Sequence, residues 1–260
     1  MNPLLDLSAR LVIGHRGNSA YVPENTIESF QQALTSGADA VEFDVRVTRD
    51  GIPVVIHDAS LLRTTGTPAL VAELAFTDLR QADAGAKFTR DGGRTYPFRG
   101  RGLVVPRLNA VLEACRGVPK IIEVKVPAAV EVTRRAIRAA GALREVLVDS
   151  SDEAAVRPFR DGSMATGSSM MDIVRLLPRA FLAGGPTSLP YQSICIPRWY
   201  NGIPVPVKQL ARVVRHARAT THVWTIDDPR VAIRLWKAGV QGIITNDPGL
   251  MVQARQGLSP

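Results

Sequence analysis

Residues 40–58 read Ala40-Val41-Glu42-Phe43-Asp44-Val45-Arg46-Val47-Thr48-Arg49-Asp50-Gly51-Ile52-Pro53-Val54-Val55-Ile56-His57-Asp58. The run Ala40 to Val47 has the apolar, β-branched character of a strand, and Arg49-Asp50-Gly51 is a turn signal. Pro53 to Ile56 is a second strand ending at His57. Too few residues separate the two runs for a parallel crossover, which needs a dozen or more. They are therefore expected to pair as an antiparallel hairpin, which brings His57 back level with Glu42 and Asp44. Those two carboxylates stand at alternate positions of one strand, so they share a face. Two like charges held side by side are costly unless a cation or a proton lies between them.

Working outward, Leu11 to Gly14 is a buried-strand run ending at His15-Arg16. A loop with Pro23 and Glu24 leads to a helix, for which Asn25 as N-cap and Glu28 have the spacing of a capping box. Residues 59–105 are irregular, and 85–102 carry Lys87, Arg90, Arg94, Arg99 and Arg101 among Phe88, Tyr96 and Phe98. A loop of that length is usually functional or disordered. A helix over Pro106 to Cys115 follows. Strands then alternate with helices: Lys120 to Lys125, Glu145 to Asp149, Met164 to Ser168, Ser193 to Pro197, His222 to Ile226 and Gly242 to Thr245. The intervening helices are expected near 128–140, 152–160, 170–180, 206–219 and 229–238, with a closing one to about Gln256. The count is nine strands and eight helices. Removing the hairpin strand leaves eight βα units, the content of a TIM (β/α)8 barrel with a short insertion after strand 2, read as a single domain over 1–260.

The length of 260 residues suits one such barrel, and the 45% apolar content is normal for a globular chain. The net charge of +8, with a pI near 10, is compatible with phosphate esters, a membrane surface or nucleic acid as partner, or with a solvated basic surface. Cys115 and Cys195 lack metal-ligand spacing and sit in apolar runs, so buried free thiols are expected. The N-terminus lacks signal-peptide character and no run approaches 18 apolar residues, which reads as a soluble, cytoplasmic protein.

Barrel enzymes work at the carboxyl ends of their strands. The polar residues there are His15-Arg16, Glu42 and Asp44, Glu123 and Lys125, Ser150, Trp224, Asp227 and Asn246-Asp247. Glu42, Asp44 and Glu123 would form an all-oxygen site suited to Mg²⁺ or Ca²⁺. His15 and His57 fit general acid–base work, and Arg16 and Lys125 suit an anionic oxygen. Together these describe phosphoryl ester chemistry. The alternative is that all are structural ion pairs, a reading adopted for the remaining histidines, His216 and His222, as core or surface residues.

Gly14-His15-Arg16-Gly17, Pro23-Glu24-Asn25-Thr26, Glu42-x-Asp44-Val45-x-x-Thr48-x-Asp50-Gly51 and His57-Asp58 resemble the glycerophosphodiester phosphodiesterase signature. The resemblance continues through Arg63-Thr64-Thr65, Asp83-Ala84-Gly85, Pro106-Arg107-Leu108, Glu123-x-Lys125, Val223-Trp224-Thr225 and Gly242-Ile243-Ile244-Thr245, in order along nearly the whole chain. It implies a TIM barrel that hydrolyses glycerophosphodiesters to sn-glycerol 3-phosphate and an alcohol with a divalent cation. It further implies that Glu42, Asp44 and Glu123 hold the metal and that His15 and His57 are the acid–base pair. Arg16 and Lys125 would contact phosphate, Glu24 would support the site and Trp224 would line the glycerol pocket. By analogy with related phosphodiesterases, the substrate's own 2-hydroxyl would attack phosphorus and give a cyclic phosphate. Three departures, Gly66-Thr67-Pro68, Lys87 beside Phe88 and Asp227, are expected to touch the pocket wall. The alternatives are an enzyme of the same barrel acting on lysophospholipids and a catalytically silent binding module. A small-molecule phosphodiester is the expected partner, nucleic acid is not, and weak contact with a membrane surface is compatible with the charge.

Overall fold

The computed structural model describes residues 2–182 and 185–258. Its strands in chain order are β1 (Leu11–His15), β2 (Ala40–Val47), β3 (Pro53–Val55), β4 (Lys120–Val124), β5 (Val146–Asp149), β6 (Ala165–Thr166), β7 (Ser193–Pro197), β8 (Trp199–Tyr200), β9 (Ile203–Pro204), β10 (Thr220–Trp224) and β11 (Gly242–Thr245). Eight of them form a parallel sheet in the order β6-β5-β4-β2-β1-β11-β10-β7. The barrel is nearly closed. At the β6–β7 seam the Gln192 amide donates to the Thr166 carbonyl at 2.9 Å, and the Gln192 side-chain oxygen accepts from the Thr166 amide at 2.9 Å.

The expected hairpin is present. β3 lies antiparallel to β2 with Val45 opposite Val55 and Val47 opposite Pro53, and the Ile56 amide donates to the Asp44 carbonyl. That register returns His57 to the level between Glu42 and Asp44. The insertion is also ordered: short helices at Leu62–Thr65 and Phe76–Leu79 and a 3-10 turn at Val71–Glu73 enclose a core of their own. In it Leu61, Val71, Phe76, Leu79, Leu103 and Val105 pack on Val54 and Ile56 of the hairpin. The periodicity that marks a helix or strand is missing because each element is only three or four residues long, yet enough apolar side chains converge to bury one another.

Two expectations are corrected. The helix Ile27–Thr35 is capped by Thr26, whose hydroxyl accepts from the Ser29 amide, so no Asn25–Glu28 capping box forms. Asn25 instead adopts a left-handed φ of 59° and turns its amide into the barrel mouth. The strand expected at His222 to Ile226 starts two residues earlier, at Thr220. Thr220 and Thr221 are fully buried, and their hydroxyls hid the strand from a hydrophobicity reading.

Side chains alternate across each barrel strand as the pleat demands. Ile13, Ala40, Ile121, Leu147 and Ile244 point inward onto Leu4 from the N-terminal 3-10 turn Pro3–Leu5, which plugs the lower end. Val41, Phe43, Ile122, Val124 and Val148 point outward onto the helices. The Leu4 carbonyl accepts from Thr220 Oγ1 at 2.9 Å and meets His222 Nε2 at 3.0 Å. His222 is thus a core residue and His216 is exposed, as expected for both.

Burial in this apolar floor lowers the His222 pKa from 6.5 to about 4. The folded state then binds a proton less readily than the unfolded chain between those values. Its stabilising effect is complete above pH 6.5 and is lost as pH falls toward 4, by about 3 kcal/mol. Denaturant titrations of the wild type and His222→Gln from pH 7 to 4 should therefore converge as pH falls; parallel curves would contradict this account.

Candidate active site

The ends of β1, β2, β4 and β5 meet over a cavity of about 520 Å³ lined by His15, Arg16, Glu42, His57, Glu123, Lys125 and Trp224, among others. Parallel pairing sets the levels: His15 lies opposite Glu42, Asp44 opposite Glu123, and Glu123 opposite Asp149. The inward parity of the pleat then turns all these side chains to one centre.

Glu42, Asp44 and Glu123 each offer an oxygen within 4.8 Å of the others. Two cations face these three carboxylates. Arg16 Nε is 3.1 Å from Asp44, and Lys125 Nζ is 2.9 Å from Glu123 and 3.4 Å from Asp44. One negative charge is left over. Burial, then the neighbouring Asp44, push the Glu42 carboxyl well above the ordinary carboxylate range, and the same two causes raise Glu123. Asp44 is desolvated too, but Arg16 and Lys125 outweigh burial and hold it below the ordinary value. An all-oxygen set with surplus negative charge, otherwise balanced only by a proton, suits a hard divalent cation.

The surrounding shell is built from local backbone choices. Arg16 has a φ of 55°, which bends the chain so that its amide donates to the Glu42 carboxylate at 3.1 Å and its guanidinium reaches inward. Gly17 follows at φ 89°, and a Cβ there would lie 2.5 Å from the Ser29 backbone. Glu24 accepts from Arg16 at 2.8 Å and from Arg63 at 2.7 and 2.8 Å. Asn25 Nδ2 donates to Asp44 at 2.9 Å. Asn25, expected as a helix cap, serves Asp44 instead; the Pro23-Glu24-Asn25-Thr26 motif marks it in the sequence, but its left-handed backbone shows only in the fold.

The histidines are held differently. His15 Nδ1 is 2.7 Å from the Asn246 side-chain oxygen, and Asn246 Nδ2 donates to Asp227 at 2.7 Å. Asp227 therefore orients Asn246, and it lines the adjoining pocket that His15 and Arg16 share with the cavity, as expected. Gly66, Thr67, Pro68, Lys87 and Phe88 lie in the insertion and do not line the cavity, which corrects the expectation for those two departures. Burial, then the Arg16 charge, lower the His15 pKa below 6.5 against the opposing bond to Asn246, leaving the ring neutral at pH 7 with Nε2 turned 4.0 Å from Glu42. His57 Nδ1 is 2.6 Å from Asp58. Partial burial works against the Asp58 carboxylate, but hydrogen bonds from Arg63 and His57 prevail and hold it at about 2.

Three further residues were missed. Asp149 and Cys195 both line the cavity, where burial, then Glu123, drive Asp149 well above the carboxylate range. Gly167 makes room for it, since a Cβ there would lie 1.9 Å from Asp149 Oδ1. The two-residue parity Leu147, Asp149 could have flagged this carboxyl. Tyr200 also lines the cavity, from a hairpin too short for periodicity to show. Ser150, by contrast, donates to the Val124 carbonyl and is structural, while Trp224 stands at the rim, 39% exposed. Both cysteines are free.

Because the Asn246 bond favours the protonated His15 ring, its loss should lower the pKa further. Histidine NMR titration of Asn246→Ala without added metal is expected to show this, and an upward or absent shift would exclude the assigned contact.

Comparison with known proteins identifies the family. A family model described as the glycerophosphoryl diester phosphodiesterase family matches residues 15–250. A glycerophosphodiester phosphodiesterase of Caldanaerobacter subterraneus subsp. tengcongensis is 28% identical over 260 residues, covering 93% of this chain and 96% of that protein. One from Bacillus subtilis is 28% identical over 268 residues, covering 98% and 89%. Among solved structures, a glycerophosphodiester phosphodiesterase from Agrobacterium tumefaciens superposes with a TM-score of 0.72 at 26% identity, covering 94% of this chain and 99% of that one. A phosphodiesterase from Oleispira antarctica, in complex with the product sn-glycerol-3-phosphate, superposes with a TM-score of 0.74 at 22% identity, covering 95% and 97%. The chain belongs to the glycerophosphoryl diester phosphodiesterase family.

Proposed function

We propose that this enzyme hydrolyses glycerophosphodiesters to sn-glycerol 3-phosphate and an alcohol, with His15 and His57 as the proton-transfer pair. The observation that carries the reading is one cavity holding two histidines on separate elements, three converging carboxylates and two cations. Family membership supports the substrate class.

Glu42, Asp44 and Glu123 are the proposed ligands of a divalent cation, Mg²⁺ or Ca²⁺. When bound, such a cation would supply Lewis-acid stabilisation of the phosphoryl oxygens. Arg16 and Lys125 supply fixed positive charge to the same oxygens, and Glu24 and Asn25 keep Arg16 and Asp44 in place. Trp224 would form part of the glycerol pocket.

The two histidine environments favour a division of labour. His15 is neutral, and its bond through Nδ1 to Asn246 leaves Nε2 free to accept a proton. In this reading Nε2 deprotonates the glycerol 2-hydroxyl, whose oxygen attacks phosphorus. His57, oriented by Asp58 as a triad carboxylate orients its imidazole, protonates the departing alcohol oxygen. Water then opens the cyclic phosphate, with His57 as base and His15 as acid.

His15→Ala and His57→Ala should each reduce kcat on glycerophosphocholine by about 10² to 10⁴-fold. Full activity in either variant, measured by glycerol 3-phosphate release, would falsify the assigned roles. Chelation should abolish turnover, and Mg²⁺ or Ca²⁺ should restore it. Because the raised Glu42 carboxyl must lose its proton to ligate, metal affinity should fall as pH is lowered, with proton release on binding. Calorimetry in buffers of different ionisation enthalpy measures that release, and Glu42→Gln should remove most of it; an unchanged release would exclude Glu42 as the ligand that titrates.

A further inference from the structure

The cavity mouth has two unlike sides. One carries the charged groups of β1, β2 and β4. On the other, β7 ends at the mouth and the chain rises into the β8–β9 hairpin, with Trp199 opposite Pro204 and Tyr200 opposite Ile203. Asn201 and Gly202 make the turn at φ 49° and 80°, the two positive values of a type I′ hairpin, whose twist matches its strands. Directly opposed residues share a face, so Tyr200 and Ile203 lie together while Trp199 lies on the other side. Tyr200 lines the cavity. All of 198–204 is exposed, with Trp199 at 54%, Tyr200 at 46% and Ile203 at 67%. A two-stranded ribbon has little stability of its own in water, and these large side chains are costly to leave hydrated.

Three chemistries could cover such a finger, and charge separates them. A second copy of this chain would bring another +8, which disfavours self-association. A protein partner needs about 800 Å² on each side, more than a six-residue ribbon presents. A lipid headgroup layer suits both the shape and the composition. Trp and Tyr are favoured there because each joins an apolar ring to a polar handle. The Arg198 guanidinium lies 5.9 Å over the Trp199 ring, where a lipid phosphate can meet it. The insertion adds seven Lys and Arg against four Asp and Glu over 59–105, and its Arg90 stacks on the Tyr21 ring, 4.1 Å from the centroid. Basic side chains near an anionic leaflet add to the attraction and are screened by salt.

We propose that the 198–204 hairpin is a docking finger for an anionic phospholipid surface, which it meets with Trp199 and Ile203 while the cavity mouth faces the headgroups. This goes beyond the hydrolytic reading and does not depend on it, since lipid binding is measured without turnover.

The test is flotation of the full chain with vesicles of phosphatidylcholine alone and of an equal mixture with phosphatidylglycerol. Binding is expected to the mixed vesicles, weakened by salt and at least about tenfold weaker to phosphatidylcholine alone. Trp199→Ser with Ile203→Ser should weaken it by about tenfold or more while leaving the melting temperature and glycerophosphocholine turnover unchanged, as neither side chain lines the cavity. A second readout does not need that variant: brominated lipid should quench wild-type tryptophan emission, and Trp199→Phe should remove most of the quenched fraction, leaving at most the share of Trp224 at the rim. No binding by the wild type, equal binding by the double variant, or undiminished quenching in Trp199→Phe would each overturn the proposal. So would a dimer in sedimentation that the double variant loses, because the finger would then belong to a second copy.

Discussion

Three carboxylates from two neighbouring strands, faced by two cations, set the terms for the rest of this site. Glu42 and Asp44 share one side of β2 by the pleat, and the parallel register of β4 brings Glu123 opposite Asp44. Water is largely excluded from them, so their repulsion is poorly screened. Arg16 and Lys125 offset most of it, and the residue appears as the raised carboxyl of Glu42. Such a cluster persists because the frame around it is rigid, and the frame is correspondingly specific. Arg16 and Asn25 adopt left-handed backbone conformations, and Gly17 leaves no room for a side chain.

The two histidines reach this centre by unrelated routes. His15 ends a barrel strand and is held from across the barrel by Asn246, itself fixed by Asp227. His57 lies two residues beyond the hairpin strand, where Arg46 donates to its carbonyl at 2.7 Å and Asp58 holds its ring. Arg63 then ties Asp58 to Glu24, and Glu24 to Arg16, so the insertion and the β1 loop close on the site as one ion-pair network. The separate core under the insertion gives that network its footing. Phe76, Leu79 and Leu103 fix the segment from which Arg63 projects. A sequence stretch that reads as an irregular basic loop is therefore part of the scaffold of the site.

Charge is unevenly distributed around the mouth. Ionised groups occupy the side of β1, β2 and β4, whereas Met170, Tyr200 and Trp224 make much of the opposite wall. A phosphodiester has the same division, a charged phosphoryl centre between two alcohols. The cavity thus has a polar half for the reacting atoms and a half whose rings and aliphatic groups offer contact to the alcohol portions.

Local periodicity and turn chemistry in the sequence were sufficient for the eight βα units, the hairpin that carries His57 and the shared face of Glu42 and Asp44. Each depends on neighbours along the chain: pleat parity, an Asp-Gly turn, and a connection too short for a crossover. Tertiary structure alone decided that Asn25 leaves the helix cap for Asp44, that Asp227 acts through Asn246 on His15, and that Asp149 sits beside Glu123 over Gly167. It also decided that the segment after residue 59 has a core and that the hairpin which Asn201-Gly202 signals in the sequence stands at the mouth. These are contacts between residues distant in sequence or elements of two to four residues, where no period can repeat. The chemical groups of the site were legible one at a time, but their partners were set by the closure of the barrel.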